Sequence, residues 1–448
     1  MSKSIELNHS KYVVSDYLEG SLTDRILKED FASNSTSAAK YSKYYILSFL
    51  SEFGFDTIRS PHSGAKRIID RHMIDVLDAF RIPLSKAEYF EKFGDNKHSR
   101  EYFQLLFNDK FLFEDSIEQD RQFNLLNLEI DPNTLCNQAC TYCPVATAPR
   151  SLQLMPIDMF EDILQQAKEL SQANKINVYL TSYNEVTLDK RYPDFVKKIL
   201  EKGMDHTVIS NASLLTPSLT DELAELGMTE FELNIPSIDP DEYKRLTGRK
   251  YLKAVLRNVD YLVSKGLKGH ILVHGAGDIR HYTNYKIILN RFTGTSVSAT
   301  MGKTMDRAGA VQSEEYHCDL NRCKLSGCMS GGGTRVINWL HVNALGECFI
   351  CPMDYDYDYL VGDLRKESVR EVLTGDKMAK IRRLAYGVEQ SDNNFICKRC
   401  MASISASWKD IRPSDLSMRK SKLLISKIAY KYRALEFHLP LYLKYKQS

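Results

Sequence analysis

The chain has 448 residues, a formal net charge of +2, and 43% hydrophobic against 26% charged residues, which is enough apolar material for a large packed core and excludes a disordered or fibrous chain. No run approaches 18 uncharged apolar residues, which argues against a membrane-spanning helix. The N-terminal stretch MSKSIELNHSKYVVSDYLEG lacks an apolar signal core, so a cytoplasmic protein is expected.

Charge is distributed unevenly. Residues 419–448 carry +7 and the remainder −5, so the basic character is local and no nucleic-acid partner is expected. All ten cysteines lie between Cys136 and Cys400. In a cytosolic chain, clustered cysteines serve more often as metal ligands or catalytic groups than as disulfides.

Residues 1–121 contain no cysteine and read as helical. In KRIIDRHMIDVLDAF, Ile69, Met73, Val76, Leu77 and Phe80 recur at helical spacing. Pro83 breaks that pattern, and Ser85 is placed to cap a second helix through KAEYFEKF. A third helical stretch, REYFQLLFNDKFLFED, ends in a strand-like run. Three helices and a terminal ribbon predict a winged-helix-like module.

From residue 122 to 305 the rhythm changes to strand and helix in turn. FNLLNLEID, KINVYLTS, HTVIS, EFELNIPS, GHILVHG and SVSAT read as strands, separated by helices such as YPDFVKKILEKG, SLTDELAELG and YLKAVLRNVDYLVSKG. A further helix, IDMFEDILQQAKEL, carries Phe160, Ile163, Leu164, Ala167 and Leu170 on one face. Six βα units predict an α/β fold, a partial (β/α)6 TIM-like barrel, with chemistry at the C-terminal ends of its strands.

At that end of the first strand stands CNQACTYCP, with Cys136, Cys140 and Cys143. A closed zinc site wants four ligands, and here the nearest histidines are His98 and His206 and the next cysteine is Cys318. Three thiolates on one loop suit three corners of a 4Fe–4S cube and leave one iron open to a substrate or cofactor.

C-x3-C-x2-C directly after the first strand of a βα series resembles the signature of radical S-adenosylmethionine enzymes. The resemblance implies that S-adenosylmethionine chelates the open iron and is cleaved reductively to a 5′-deoxyadenosyl radical. Three further stretches carry it. TSYNEVTL resembles the family's Gly-Gly-Glu-Pro motif at Glu185, with Tyr183 and Asn184 in place of glycines. ISNASLLT places Asn211, and IPSIDPDEYKRLTGRK places Ser237, near the cofactor.

Residues 306–412 hold seven more cysteines. Cys348 with Cys351 and Cys397 with Cys400 form two C-x2-C pairs, a spacing that also suits zinc. The stretch CMSGGGTRVINWLHVNALGECFICPMDYDYDYLVGDL resembles the SPASM/twitch extension of the same family, with Gly346 to Cys351 as its Gly-x4-Cys. That resemblance implies one auxiliary 4Fe–4S cluster on Cys328, Cys351, Cys397 and Cys400, with Cys323 as substitute for Cys328. Asp354 is the expected proton-accepting residue, although an acidic, aromatic run such as DYDYDY also suits a solvated loop.

The tail from 413 mixes Leu423, Leu424, Ile428 and Tyr432 with lysines. It suits a helix packed on the barrel, or peripheral contact with an anionic membrane. The family resemblance implies a one-electron reductant such as flavodoxin or ferredoxin. It also implies a substrate that is a precursor peptide to be crosslinked or oxidised, or a sugar-like metabolite to be dehydrogenated. A zinc-stabilised binding protein without catalysis is the alternative from another class.

Overall fold

The structure is a computed structural model that describes residues 10–21, 57–68, 71–171, 175–304, 306–317, 321–328 and 333–404. The basic tail, Ile69 and Cys318 lie outside the described residues.

The N-terminal module contains β1 (Lys11–Val14), β2 (Glu19–Ser21), β3 (Thr57–Arg59), β4 (Lys66–Ile68), α1 (Arg71–Ala79), β5 (Leu84–Ser85), α2 (Lys86–Phe93), α3 (Lys97–Asn108) and β6 (Leu112–Glu114). The three helices among its described residues pack on an antiparallel sheet in the order β5-β1-β6. Met73, Val76 and Leu77 of α1, with Phe80 just after it, meet Tyr89, Phe103 and Leu106 in a separate apolar core. Ser85 caps α2 in a reciprocal capping box with Glu88. The helix expected from residue 66 begins only at Arg71, because Lys66–Ile68 pair with β3 across a turn.

The barrel begins with β7 (Asn127–Ile130) and α4 (Ile157–Leu170), then β8 (Asn177–Tyr179), α5 (Tyr192–Glu201), β9 (Asp205–His206), β10 (Val208–Ser210), α6 (Pro217–Glu225) and β11 (Glu230–Asn234). It continues with α7 (Pro240–Thr247), α8 (Leu252–Ser264), β12 (Lys268–Gly275), α9 (Ile279–Phe292) and β13 (Val297–Lys303). β9 and β10 are two halves of one segment interrupted at Thr207. β7, β8 and β9 run parallel, as do β10 to β13. The five apolar residues expected on α4 are all buried, and burial of each large one stabilises by about 1.5–3 kcal/mol. α7 was not legible as a helix in the sequence: Asp239 caps it and Pro240 opens it, inside a stretch that reads as a turn.

The C-terminal domain contributes α10 (Arg335–Asn338), β14 (Trp339–Val342), β15 (Glu347–Phe349), β16 (Leu360–Asp363), α11 (Val369–Thr374) and α12 (Asp376–Ala385). RVINWLHV and GECFICP form a hairpin of β14 and β15, with Arg335–Asn338 a helical turn ahead of it. β14 then pairs in parallel with β7, placing His341 opposite Glu129 and Val342 opposite Ile130. The resulting sheet, in the order β16-β15-β14-β7-β8-β9, carries barrel and C-terminal domain on one hydrogen-bonded framework.

Period-two alternation sorts the two faces of this sheet. Leu128, Ile130, Val178, Leu340 and Val342 enter the main core beneath the helices. Asn127, Glu129, Asp131, Tyr179, Trp339 and His341 occupy the opposite face, toward the barrel lumen.

The N-terminal residues are tied to the C-terminal domain. Buried Glu19 accepts hydrogen bonds from the hydroxyls of Tyr386, at 2.7 Å, and Thr334, and Tyr17 joins the main core. Fully buried Arg382 donates to the carbonyls of Val336, Asp120 and Leu373 at 2.8, 2.8 and 2.9 Å.

Candidate active site

The cysteine loop is held by backbone groups of α7 and of Glu185, and by the Arg249 side chain. Ala139 N and Thr141 N donate to the carbonyls of Thr247 and Leu246 at the end of α7, both at 2.9 Å, and Glu185 N donates to Leu135 O at 2.7 Å. Arg249 Nε donates to Asn137 O at 3.0 Å. Gly248 stands in the left-handed region at φ 67°, and a Cβ there would lie 3.2 Å from Ala139 O, so this approach needs glycine.

Amide N–H groups turn on several sulfurs. Those of Gln138 and Asn137 face Cys136, and that of Val145 faces Cys143. Burial pushes the Cys136 thiol up to about 12. A cationic metal centre is what would hold such a thiol as thiolate.

Glu185 is buried, and its carboxylate is fully engaged. Oε1 accepts from Ser210 Oγ at 2.7 Å and Thr187 Oγ1 at 2.6 Å, and Oε2 accepts from Asn211 N at 2.7 Å. Burial nevertheless raises its pKa. Asn211 is also buried; its Nδ2 donates to Asn137 Oδ1 at 2.9 Å, and Asn137 in turn donates to Ser213 Oγ. Glu185 and Asn211 therefore join the cysteine loop in one network. Ser237 does not: it is fully buried, donates to Asn284 Oδ1 at 2.9 Å and accepts from Asp239 N at 3.1 Å.

Cys328, Cys351, Cys397 and Cys400 lie close enough for each to act on the others' charge. N–H groups of Arg335, Met353, and Ala402 with Ser403 turn on Cys328, Cys351 and Cys400 respectively. An antiparallel bridge joins Cys328 to Ser403. Cys323 is exposed, and buried Cys348 faces Glu367 and Asp363 instead. Among the described residues, no three or more His, Cys, Asp or Glu converge as on a single ion. One tetrahedral zinc would draw its sulfurs to about 3.8 Å apart, given bonds near 2.3 Å, whereas the corners of a cube stand farther apart.

Asp354 is buried, with its own N–H on Cys351 O at 2.9 Å. Its two oxygens accept from Asp358 N and Tyr359 N, both at 2.9 Å, so the carboxylate closes the loop 354–359. The acidic, aromatic run is not a freely solvated loop. The rings of Tyr355 and Tyr357 each have their centroid 4.2 Å from the Arg150 guanidinium carbon, and Tyr183 donates to Pro352 O.

Sequence reasoning missed the lumen wall beside this loop. Glu129 lies 3.2 Å from His341 Nδ1 and 3.5 Å from Arg335, and Arg335 stacks 3.8 Å from the Trp339 ring. Asp131 lies 3.8 Å from Arg150. Burial, and then the Glu129 charge, push Asp131 up to about 8. Asp131 Oδ1, Trp339 Nε1, His341 Nε2 and Tyr357 OH are buried without hydrogen-bond partners. The alternating polar residues of FNLLNLEID and RVINWLHV were the available signal, but only the parallel register of β14 brings them together.

An open parallel barrel with three thiols after its first strand, and four more in a domain joined to the same sheet, has the layout of an iron–sulfur enzyme. Residues 130–281 match the radical SAM superfamily, and residues 334–401 match SPASM, an iron–sulfur cluster-binding domain, the pairing of a radical SAM domain with a C-terminal SPASM domain. These two domains imply S-adenosylmethionine and 4Fe–4S clusters as cofactors.

The chain is similar to the probable GTP 3′,8-cyclase of Sulfolobus acidocaldarius, 24% identical over 144 residues, or 32% of this chain and 45% of that protein. It is similar also to the probable GTP 3′,8-cyclase of Thermococcus kodakarensis, 30% identical over 140 residues, or 31% and 43%. It thus spans about half the length of the curated relatives it matches, at 45% and 43%. Among solved structures, Streptococcus suis SuiB bound to precursor peptide SuiA is 13% identical, with a TM-score of 0.47 over 83% of this chain and 90% of that one. No helix among the described residues is long and apolar enough to cross a membrane.

Proposed function

We propose that this enzyme oxidises or crosslinks a peptide. In this reading Cys136, Cys140 and Cys143 hold the cluster that binds S-adenosylmethionine, and Cys328, Cys351, Cys397 and Cys400 hold one auxiliary 4Fe–4S cluster. The observation that carries the proposal is the gathering of seven thiols into two groups, most of them faced by backbone amides. When bound, the cofactors supply a 5′-deoxyadenosyl radical that takes a hydrogen atom from substrate.

The chain's own residues orient and enclose. Glu185 and Asn211 fix the shape of the cysteine loop and shape the cofactor pocket. Ser237 is assigned to the ribose side, through the turn that it closes. Glu129, Asp131 and His341 line the lumen with hydrogen-bonding groups for the substrate, and Asp354, already aimed by two amides, is the proton acceptor. The peptide assignment draws on the N-terminal module, whose short strands β5 and β6 stand at its sheet edges, where an extended peptide can add a strand. A flavodoxin or ferredoxin as electron donor and a cytoplasmic setting belong to the same proposal, as does membrane contact by the tail. The names of the curated relatives favour a second reading, a small-molecule substrate of the nucleotide kind, within the barrel portion that they match. A sugar-like alcohol is the further small-molecule candidate.

The test is iron and sulfide per chain after anaerobic reconstitution, for wild type and for Cys136→Ala/Cys140→Ala/Cys143→Ala. About eight irons falling to about four in the variant, with 5′-deoxyadenosine released by wild type alone, is the expected result. Zinc without iron in both proteins would refute the ligand assignment.

A further inference from the structure

Glu19 lies on β2, opposite Arg59 of β3. By sequence it belongs to the N-terminal module, yet its side chain is buried against the C-terminal domain, only 5% exposed. Oε1 accepts from the Tyr386 hydroxyl at 2.7 Å and from the Thr334 hydroxyl, and Oε2 lies 3.6 Å from Arg59 Nη1. The backbone N–H of Cys328 also turns on this carboxylate. Burial raises the Glu19 pKa, and these donors with Arg59 pull the other way.

The approach to Cys328 is close. Gly327 holds φ of 113°, and a Cβ there would lie 2.9 Å from Tyr386 Cε1 and 3.3 Å from Glu19 Cγ. From the other side Cys328 is tied to the loop of Cys400. It bridges to Ser403, and Ile404 N donates to Gly327 O at 2.9 Å. Cys328 is therefore held between two anchors, one from the end of its own domain and one from β2. The Glu19 charge is felt at the Cys328 sulfur, against the opposite pull of Arg335. At Cys351, Cys397 and Cys400 the charges felt are chiefly those of fellow thiols, Arg335 and Arg322.

A buried carboxylate beside a cluster ligand has two effects. Through the amide it fixes the ligand's backbone. Its negative charge stands where a further electron would arrive, which disfavours reduction.

We propose that Glu19 is a positioning residue for the auxiliary cluster: it anchors the backbone of Cys328 and holds the reduction potential of that cluster low. The N-terminal module thereby supplies part of the auxiliary site. This rests on the reading that Cys328, Cys351, Cys397 and Cys400 hold one 4Fe–4S cluster.

The experiment uses the full chain carrying Cys136→Ala/Cys140→Ala/Cys143→Ala, which leaves the auxiliary cluster alone, with Glu19→Gln or Arg59→Met added. Iron per chain is measured after anaerobic reconstitution, and the midpoint potential by EPR-monitored redox titration at pH 8. With about four irons retained in each, Glu19→Gln shifts the potential upward. Arg59→Met, which strips the carboxylate of its cation, shifts it downward. A merely structural role for Glu19 would not give shifts of opposite sign. A potential in Glu19→Gln equal to that of the parent overturns the proposal, as do shifts of one sign in both variants. Should Glu19→Gln fail to load iron, Arg59→Met decides alone: a lowered potential upholds the proposal, and an unchanged or raised one overturns it. Failure of the cluster reading would show separately, as a parent that holds zinc and no iron, and would overturn the proposal with it.

Discussion

Replacing Asp131 by Asn should make the protein more stable at pH 8 and leave it nearly unchanged at pH 5. Asp131 is 2% exposed on the lumen face, two residues from Glu129 on the same strand, with Arg150 at 3.8 Å as its nearest cation. Burial and Glu129 carry its pKa from 3.8 to about 8, against the pull of Arg150. A carboxyl whose folded pKa is raised keeps its proton in the native state while the unfolded chain has already released it. Wild-type stability therefore falls as pH rises from about 4 to about 8 and levels off above that. Roughly four pKa units at 1.36 kcal/mol each set a ceiling of about 6 kcal/mol. An interior that responds with an effective dielectric near 20 reduces this to about 2–3 kcal/mol. Asn keeps the shape and removes the ionisation. Buried histidines that titrate in the same range, such as His206 and His274, contribute equally to both proteins and cancel in the difference. Urea unfolding at pH 5, 6.5 and 8, at fixed ionic strength and without oxygen, measures that difference directly. A gap between variant and wild type that is the same at all three pH values would refute the reasoning, as would a gap that shrinks toward pH 8.

Two further outcomes follow from packing. Arg382→Met should destabilise by about 3–5 kcal/mol, read as a lower urea midpoint, because it leaves three buried carbonyls without their donor. Gly387→Ala should lower the melting temperature of the C-terminal domain. Its φ of 66° disfavours any side chain, and the new Cβ would meet Leu325 O at 2.4 Å. Gly266→Ala offers the contrast, since its φ is similar at 67° and no atom lies within 4 Å.

The parts of the fold governed by short-range patterns were readable from residues. The strands of the barrel, the buried stripe of α4 and the Ser85 capping box each depend on spacings within a few residues. The cysteine loop was readable for the same reason, and because thiols at three and two intervening residues have few competing uses. What sequence withheld was pairing across distance. Residues 127–131 and 339–343 read as two separate polar–apolar alternations, and neither announces that Glu129 meets His341. Lys66–Ile68 looked like the first turn of a helix until β3 supplied a partner. Ser237 matched a motif by position, yet its hydroxyl is consumed by Asn284, a residue 47 positions away.

The parallel pairing of β14 with β7 also bears on how the chain can be divided. β7 is the first strand of the barrel, and without β14 its outer edge would present a row of unpaired N–H and C=O groups. A fragment ending near residue 305 would carry the cysteine loop on that bare strand, ready to recruit a strand from another molecule. The domain that gathers the second group of thiols is thus also the cover that keeps the first from aggregating. Anyone trimming this protein to its barrel would be removing part of the barrel's own wall.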